Sequence, residues 1–530
     1  MTFKASCTYS VGIIRTVTRV SGMSTVLSKT ASIGIIGAGT MGAGIVAVAL
    51  RAGHAVYLHD TRQQALTQGA ESVTASLDRW VKRGHLTARQ RDECLARLTL
   101  AAELSELSAC ALVVEAIIEN LEIKQQLFSA LEAVVGEHTI LASNTSSISI
   151  TAIAATLQRP QRMVGMHFFN PATVLPLVEV VKGEATCATV VAQVSELATL
   201  WGKCPVECKS TPGFIVNRVA RPFYGEALLG LEDQVAPVAV IDAALRDAGG
   251  FRMGPLELMD LIGHDTNFAV TRSIYDAFFQ DPRYRPSLTQ KALVDAGWLG
   301  RKTGRGFYRY DPGSTPDGIT YEAACPQPTL VQQFGDFPGA QTVRHLAEER
   351  GCHIERHNGD GYLMVDGVQL RPCLGLTAIA LATAQELDQV VLFDASTHLE
   401  AASLVVLSGA DTCRRASLDS VVGFFQALGK QVVIIDDVAG MLVTRTLCML
   451  ANEAAQAVSQ GIATAQAVDL AMLKGVNYPV GPLAWADAFG NHNVVTVLDN
   501  LARACPDGRY RANALLRRKA LTNTPWNHAE

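Results

Sequence analysis

Acidic residues are missing from the start of this chain: of its 50 Asp and Glu residues, the first is Asp60. Lys4, Arg15 and Arg19 stand there among several Ser and Thr, so residues 1–22 superficially resemble an organellar transit peptide. Met23 offers a simpler start, and residues 1–30 are read as a disordered leader or an overextended start. Long apolar runs are missing too. None reaches the roughly 18 residues needed to cross a bilayer, which argues for a soluble chain with no membrane partner. An excess of basic residues is absent, and a formal net charge of -5 gives no electrostatic reason to expect nucleic acid. Paired cysteine spacing is also lacking: the 12 cysteines are scattered, the pattern of a reducing compartment. Cys204 with Cys208, and Cys352 with His353 and His357, have no further partners at zinc-ligand spacing, so no metal is expected.

What is present is an ordinary globular composition, 48% hydrophobic and 18% charged, over 530 residues. That length is too great for one core and suggests roughly three or four domains. Ser32 to Asp60 reads SIGIIGAGTMGAGIVAVALRAGHAVYLHD. An apolar strand from Ile33 to Ile36 runs into a glycine loop, a small-residue helix follows to Ala52, and a second strand from Ala55 to Leu58 precedes Asp60. A bare Gly-x-Gly-x-x-Gly is weak evidence, but one that follows a strand, opens a helix and precedes an acid by one β-α-β unit is a dinucleotide-binding signature. Gly37 permits the tight turn, Gly39 lets the backbone approach a pyrophosphate, and Gly42 lets helix and strand pack closely. Gly37, Gly39, Thr40, Met41 and Gly42 are therefore expected at the cofactor, with the helix N-terminus receiving its negative charge. Asp60 is placed to accept the ribose hydroxyls and repels a 2'-phosphate, favouring NAD over NADP, with Arg62 close by.

Residues 63–83 read as a helix carrying Leu66, Val73, Leu77 and Trp80 on its apolar positions. Ser76, Lys82 and Arg83 lie on or just after it, as a patch for the phosphates of an acyl carrier such as coenzyme A or as a solvated face. A strand from Ala111 to Val114 ends near Glu119 and Lys124, and loops at the carboxyl ends of parallel strands line the crevice, so both are expected near the cofactor. The next strand, Ile140 to Ala142, carries Ser143-Asn144-Thr145-Ser146-Ser147, in which Ser146 or Ser147 is expected to cap a helix, with ligand contact as a further role. His167 and Glu179 are 179 - 167 = 12 residues apart across the Asn170-Pro171 turn. A carboxylate beside an imidazole is what a general base needs, although a satisfied core histidine has the same local sequence. From Thr211-Pro-Gly-Phe-Ile-Val-Asn217-Arg218 the pattern turns helical, and Asn217 begins a helix that reaches the cleft.

SNTSS, HFFNP, LVEVV, TPGFIVNR, MGPLELMD and GRKTGRGFY, following the Gly37 loop in this order, closely resemble the 3-hydroxyacyl-CoA dehydrogenase family over residues 31–310. The resemblance implies reversible oxidation of a (S)-3-hydroxyacyl-CoA to the 3-oxoacyl-CoA with NAD. It makes His167 the base and Glu179 its partner, has Ser146 and Asn217 bond the substrate oxygen or thioester, and gives Asn170 a supporting place. It also puts Asp60, Glu119, Lys124, Asn144 and Lys302 at NAD, and Ser76 with Lys82 or Arg83 at CoA. Two other classes stand against it: a catalytically silent NAD- or acyl-CoA-binding relative, and a dehydrogenase of a free hydroxy acid or sugar.

The second half contains a repeat. At a constant offset of 429 - 202 = 227, Gly202-Lys203, Gly213, Arg218, Glu226, Asp242, Gly254-Pro255 and Asp260 recur as Gly429-Lys430, Gly440, Arg445, Glu453, Asp469, Gly481-Pro482 and Asp487. Asn217 becomes Thr444, so the copy is read as structural. The expected fold class is an α/β Rossmann NAD-binding domain plus an all-α domain, then a reduced Rossmann-like segment and a second α domain. The boundaries are 31–210, 211–310, a Pro-, Gly- and Asp-rich linker at 311–365, the reduced segment at 366–428, and the second α domain at 429–530. No second glycine fingerprint is present, so no second NAD site is expected. This architecture resembles bacterial family members acting on 3-hydroxybutyryl-CoA or, in phenylacetate catabolism, 3-hydroxyadipyl-CoA, and it implies a cytoplasmic enzyme without hydratase or isomerase activity. The duplication either satisfies a dimer contact within one chain or leaves room for a homodimer.

Overall fold

The computed structural model describes residues 27–28, 30–311, 313, 318–395 and 397–526; of the expected leader, residues 1–26 and 29 lie outside them. Eight short strands form the first sheet: β1 (Ile33–Ile36), β2 (Val56–His59), β3 (Leu98–Ala101), β4 (Leu112–Glu115), β5 (Ile140–Ser143), β6 (Met163–Phe168), β7 (Leu177–Lys182) and β8 (Cys204–Lys209). Their order is β3-β2-β1-β4-β5-β6-β7-β8. All neighbours are parallel except β6 and β7, which meet antiparallel with His167 opposite Glu179. Strands such as β1 and β4 are buried at every position because helices cover both faces, which is why they read as unbroken apolar runs. The strand order reverses direction between β1 and β4, the place where ligands enter open α/β sheets.

Five of the helices that follow are Arg221–Glu232, Val238–Ala243, Pro255–Ile262, His264–Ala277 and Leu288–Asp295. Asp242 fixes one helix start by accepting the amides of Leu256 and Glu257. Its copy Asp469 does the same for Leu483 and Ala484. The turn before the first helical copy also recurs, with positive φ at Gly213 and Phe214 and again at Gly440 and Met441.

The linker expectation is corrected by the structure. Within residues 311–365 lie β9 (Val331–Phe334), a helix Ala340–Glu349, β10 (Glu355–His357) and β11 (Tyr362–Val365). They join β12 (Val368–Pro372), β13 (Val390–Phe393), β14 (Leu404–Gly409) and β15 (Gln431–Ile434) in the order β10-β9-β11-β12-β13-β14-β15. The second sheet thus begins before residue 366 and extends past 428. Strands three or four residues long, with Gln332 and Gln333 inside β9, give little periodic signal, and Gly, Pro and Asp fill the turns between them. The helix nonetheless buries Val343, Leu346 and Ala347 as one face.

The two helical copies meet reciprocally. Arg218 of the first copy pairs with Glu453 of the second at 2.5 Å, and Arg445 of the second with Glu226 of the first at 3.2 Å. Glu453 also accepts from Arg283 and the Tyr284 hydroxyl. Glu226 accepts from Arg509 and the Tyr510 hydroxyl in the same way. Residue i touching j while j's copy touches i's copy is the signature of an isologous two-fold contact, here closed within one chain.

Candidate active site

The Gly37 loop is shaped by contacts no side chain would permit. A Cβ on Gly42 would stand 1.8 Å from the Gly37 carbonyl, and Gly37 itself has φ +101. A Cβ on Gly39 would meet nothing within 4 Å, so the backbone there faces open space. Gly39 precedes the helix Thr40–Arg51 without any side-chain cap, leaving the first amides of a 12-residue helix unclaimed by the loop. Thr40 is exposed and Met41 half-buried. Asp60, at the end of β2, accepts the Ala38 amide at 2.9 Å and the Arg62 amide at 3.0 Å, with the Arg62 guanidinium 3.7 Å away. An open, positively polarised helix start beside a fixed carboxylate fits a dinucleotide's pyrophosphate and ribose.

Two carboxylates organise the loops beyond β4 and β5. Glu115, fully buried, accepts from Lys124 at 2.5 Å, from the Ser143 hydroxyl at 2.6 Å and from the Ile117 amide at 2.7 Å. Lys124 is only 1% exposed and lies 3.4 Å from Glu119, so it reaches the crevice through Glu119 and not by its own surface. Glu119 gathers the next loop, accepting from the Thr145 hydroxyl and from the Ser146 and Ser147 amides. Burial pushes its carboxyl up, but Lys124 and these donors outweigh that and hold it below the usual carboxylate range. Ser146 and Ser147 are therefore not helix caps. Ser149 fills that place by accepting the Ala152 amide, because the helix starts later, at Ile150. Asn144 accepts the Phe168 amide at 2.8 Å, tying this loop to the strand of His167.

His167 and Glu179 meet at 2.7 Å, Nδ1 to Oε2, with both side chains at least nine-tenths buried. The other oxygen of Glu179 accepts the Ile215 and Val216 amides at 3.0 and 2.9 Å. With one oxygen held as an acceptor by two amides, the carboxylate accepts the Nδ1–H hydrogen bond with the other, which leaves Nε2 as the free basic nitrogen. Phe169 and Phe214 flank the imidazole, with ring centroids 4.5 and 5.8 Å away. Asn217 lies on the helix whose amides hold Glu179, and its Nδ2 donates to the Ser146 carbonyl at 3.4 Å. The structure thus brings His167, Glu179, Ser146 and Asn217 into one cluster. Asn170 is exposed on the turn that follows β6 and precedes a cis peptide bond to Pro171.

Other expected residues stand further out. Lys302 pairs with Asp265 at 2.5 Å on the exposed face of the helical domain. Lys82 and Arg83 are exposed, whereas Ser76 is buried and accepts from Arg79 at 2.7 Å. Ser76 therefore orients a third cation of that patch, Arg79, which sequence reading missed. It missed Glu115 and Lys203 as well. Lys203 Nζ donates to the carbonyls of Ala172 and Leu175, holding the turn after Asn170, and burial with help from Arg51 lowers its pKa to about 8. A lysine following Trp-Gly carries no sequence signal for such a clamp. Among the described residues no group of three or more His, Cys, Asp and Glu has the arrangement of a metal site, all eleven cysteines are free, and no helix is long and apolar enough to cross a membrane.

Residues 32–211 match the family description "3-hydroxyacyl-CoA dehydrogenase, NAD binding domain", and residues 213–310 and 440–525 match its C-terminal domain. The chain belongs to the 3-hydroxyacyl-CoA dehydrogenase family. Residues 370–438 match the "3-hydroxybutyryl-CoA dehydrogenase reduced Rossmann-fold domain". The chain is 44% identical over 495 residues, 93% of its length and 98% of the relative's, to 3-hydroxyadipyl-CoA dehydrogenase of Escherichia coli K12. It is 40% identical over 280 residues to a Mycobacterium tuberculosis 3-hydroxybutyryl-CoA dehydrogenase, covering 52% of this chain and 98% of that one. A crystal structure of an E. coli K12 3-hydroxybutyryl-CoA dehydrogenase superposes with a TM-score of 0.85 at 44% identity, covering 93% of this chain and 98% of that one. The NAD-dependent 3-hydroxyacyl-CoA dehydrogenase class thus accounts for the glycine loop and for the duplicated helical domain.

Proposed function

We propose that His167 is the general base of this dehydrogenase, with Glu179 as its orienting partner and Ser146 and Asn217 as donors to the substrate. The observation that carries this is the 2.7 Å His167–Glu179 contact, with Glu179 anchored by the amides of the helix that bears Asn217. His167 Nε2 takes the hydroxyl proton of a 3-hydroxyacyl-CoA as its C3–H bond breaks. Glu179 stabilises the imidazolium that forms, and in reverse the same imidazolium returns the proton. Asn217 and Ser146 act on the substrate oxygen or thioester as charge develops there. Phe169 and Phe214 keep water from the imidazole. When bound, NAD supplies the hydride acceptor.

The residues that hold it are the Gly37–Gly42 loop, Asp60, and Glu119 and Asn144 at the strand ends, with Lys124 acting behind Glu119 and Lys302 from the helical domain. NAD rather than NADP is the cofactor, since the Asp60 carboxylate, already holding two amides, repels a phosphate. Arg79, Lys82 and Arg83 receive the CoA phosphates, with Ser76 behind Arg79, and Asn170 supports the site. The free cysteines suit the reducing cytoplasm. Any homodimer uses a face other than the seam between the helical copies, which the chain fills itself.

The test is NADH formation with 3-hydroxybutyryl-, longer-chain and 3-hydroxyadipyl-CoA, with His167→Gln as control. His167→Gln should lower kcat by about 10²–10⁴-fold, the range for general-base removal. Activity retained in that variant would refute the assignment, and tight NADH binding with no oxidation of any substrate would leave a silent binding protein.

A further inference from the structure

Arg218 and Arg221 stand three residues apart, and their surroundings differ. Arg218 is matched by a carboxylate, Glu453. Arg221 is 7% exposed, donates to the Asn217 carbonyl at 2.7 Å and the Thr271 hydroxyl at 3.1 Å, and lies 4.8 Å from the centre of the Tyr224 ring. No carboxylate pairs with it; its titratable neighbours are the hydroxyls of Tyr224 and Tyr478, which burial keeps neutral, and burial lowers the pKa of Arg221 itself. A buried guanidinium without an acid is an unfavourable arrangement unless something anionic joins it. Tyr478, which comes from the second half, is also 7% exposed, and its hydroxyl has no hydrogen-bond partner.

The duplication shows whether the fold itself needs these groups. At the offset of 227, Arg218 and Glu226 recur as Arg445 and Glu453, the residues of the seam. Arg221, Tyr224, Thr271 and Tyr478 do not: the corresponding residues are Cys448, Ala451, Leu498 and Phe251. The polar cluster exists only on the side that carries His167 and Asn217. The copy also indicates how near it is to the chemistry. The His167 position is Asp394 in the second half (167 + 227 = 394). Cys448, at the Arg221 position, is buried and close enough to Asp394 for that carboxylate to help push its thiol up.

We propose that Arg221 and Tyr478 receive a carboxylate at the far end of the acyl chain, making this enzyme selective for 3-hydroxyacyl-CoA esters of dicarboxylic acids. The proposal rests on the reading of His167 and Asn217 given above. One helical turn, about 5.4 Å, separates Asn217 from Arg221. Three carbon–carbon bonds of about 1.5 Å each separate C3 of a six-carbon dicarboxylic chain from its terminal carboxylate, a matching reach. Tyr478 would give the second half a direct part in substrate choice.

The test compares kcat/KM for 3-hydroxyadipyl-CoA with that for 3-hydroxyhexanoyl-CoA, a chain of equal length ending in a methyl group. The wild-type ratio should exceed about tenfold, a typical effect for a hydrogen bond to a charged group. Arg221→Met should lower the ratio at least about tenfold, Tyr478→Phe about threefold, and Arg221→Lys should restore part of it. A wild-type ratio near one, or equal losses on both substrates in Arg221→Met and Tyr478→Phe, would overturn the proposal and leave Arg221 as a support for Asn217. Should Arg221→Met fail to fold, the Tyr478→Phe ratio decides, since that change keeps the ring in place. Wild-type protein that oxidises neither ester would defeat the functional reading instead.

Discussion

The two halves hold a helix start on a carboxylate in the same way but take the carboxylate from different strands. In the first, Glu179 on β7 accepts the Ile215 and Val216 amides. In the second, Asp394 just after β13 accepts the corresponding Leu442 and Val443 amides and that of Thr444. The residue matching Glu179 is Val406, which pairs with Asp394 across the strands as Glu179 pairs with His167. Lysine clamps recur alongside: Lys430 donates to the Glu400 and Ala402 carbonyls as Lys203 does to those of Ala172 and Leu175. The difference separates what the fold needs from what the chemistry needs. A helix start needs one acceptor, whereas a base needs an imidazole and a carboxylate together, and the copy kept only the acceptor.

Matched substitutions break this comparison most strongly. His167→Gln should remove most turnover with little change in unfolding temperature. Asp394→Ala should leave kcat per folded molecule nearly unchanged while destabilising the protein by about 2–4 kcal/mol, because three buried amides lose their acceptor. Steady-state kinetics with thermal unfolding separates the two, and a large kcat loss in Asp394→Ala would show that the second half has a catalytic part. The seam comes next. Glu226→Gln and Glu453→Gln each take a shared carboxylate from two arginines and a tyrosine, although Arg283 keeps its pair with Asp281, so each should cost about 3–5 kcal/mol in denaturant unfolding. The two losses should be similar because the contacts are reciprocal; a loss in one alone would mean that the seam is not a two-fold. The smallest effect is on the exposed basic patch. Lys82→Glu with Arg83→Glu should raise KM for CoA esters several-fold, an effect weakened by salt, and leave NADH affinity unchanged; a KM that does not move removes the patch from CoA binding.

The parts readable in the sequence are those whose chemistry is local. The Gly37 loop with Asp60 and the His167–Glu179 pair each lie within one β-α-β unit or one hairpin, where spacing alone brings the groups together. The repeat was readable because its offset has no gap. The β-α-β unit at residues 331–357 was not, since glutamines interrupt its short strands and its loop, Gly335 to Gly339, lacks the Gly-x-Gly-x-x-Gly spacing of the first half and holds a buried Phe337. Nor was the distinction between Arg218 and Arg221. Both are arginines at the start of one helical segment, and only the folded chain brings Glu453, 235 residues away, to the first while giving the second no acid.

The first half is expected to bind cofactor and the second to be silent. Calorimetric titration of NADH into the intact chain tests it most directly. One site per chain is expected, because the second β-α-β loop reads Gly335-Asp-Phe-Pro-Gly339 without the Gly-x-Gly-x-x-Gly spacing, and the cavity beside it is lined by the carboxylates of Asp336 and Asp360, which repel a pyrophosphate. Two NADH per chain would contradict it.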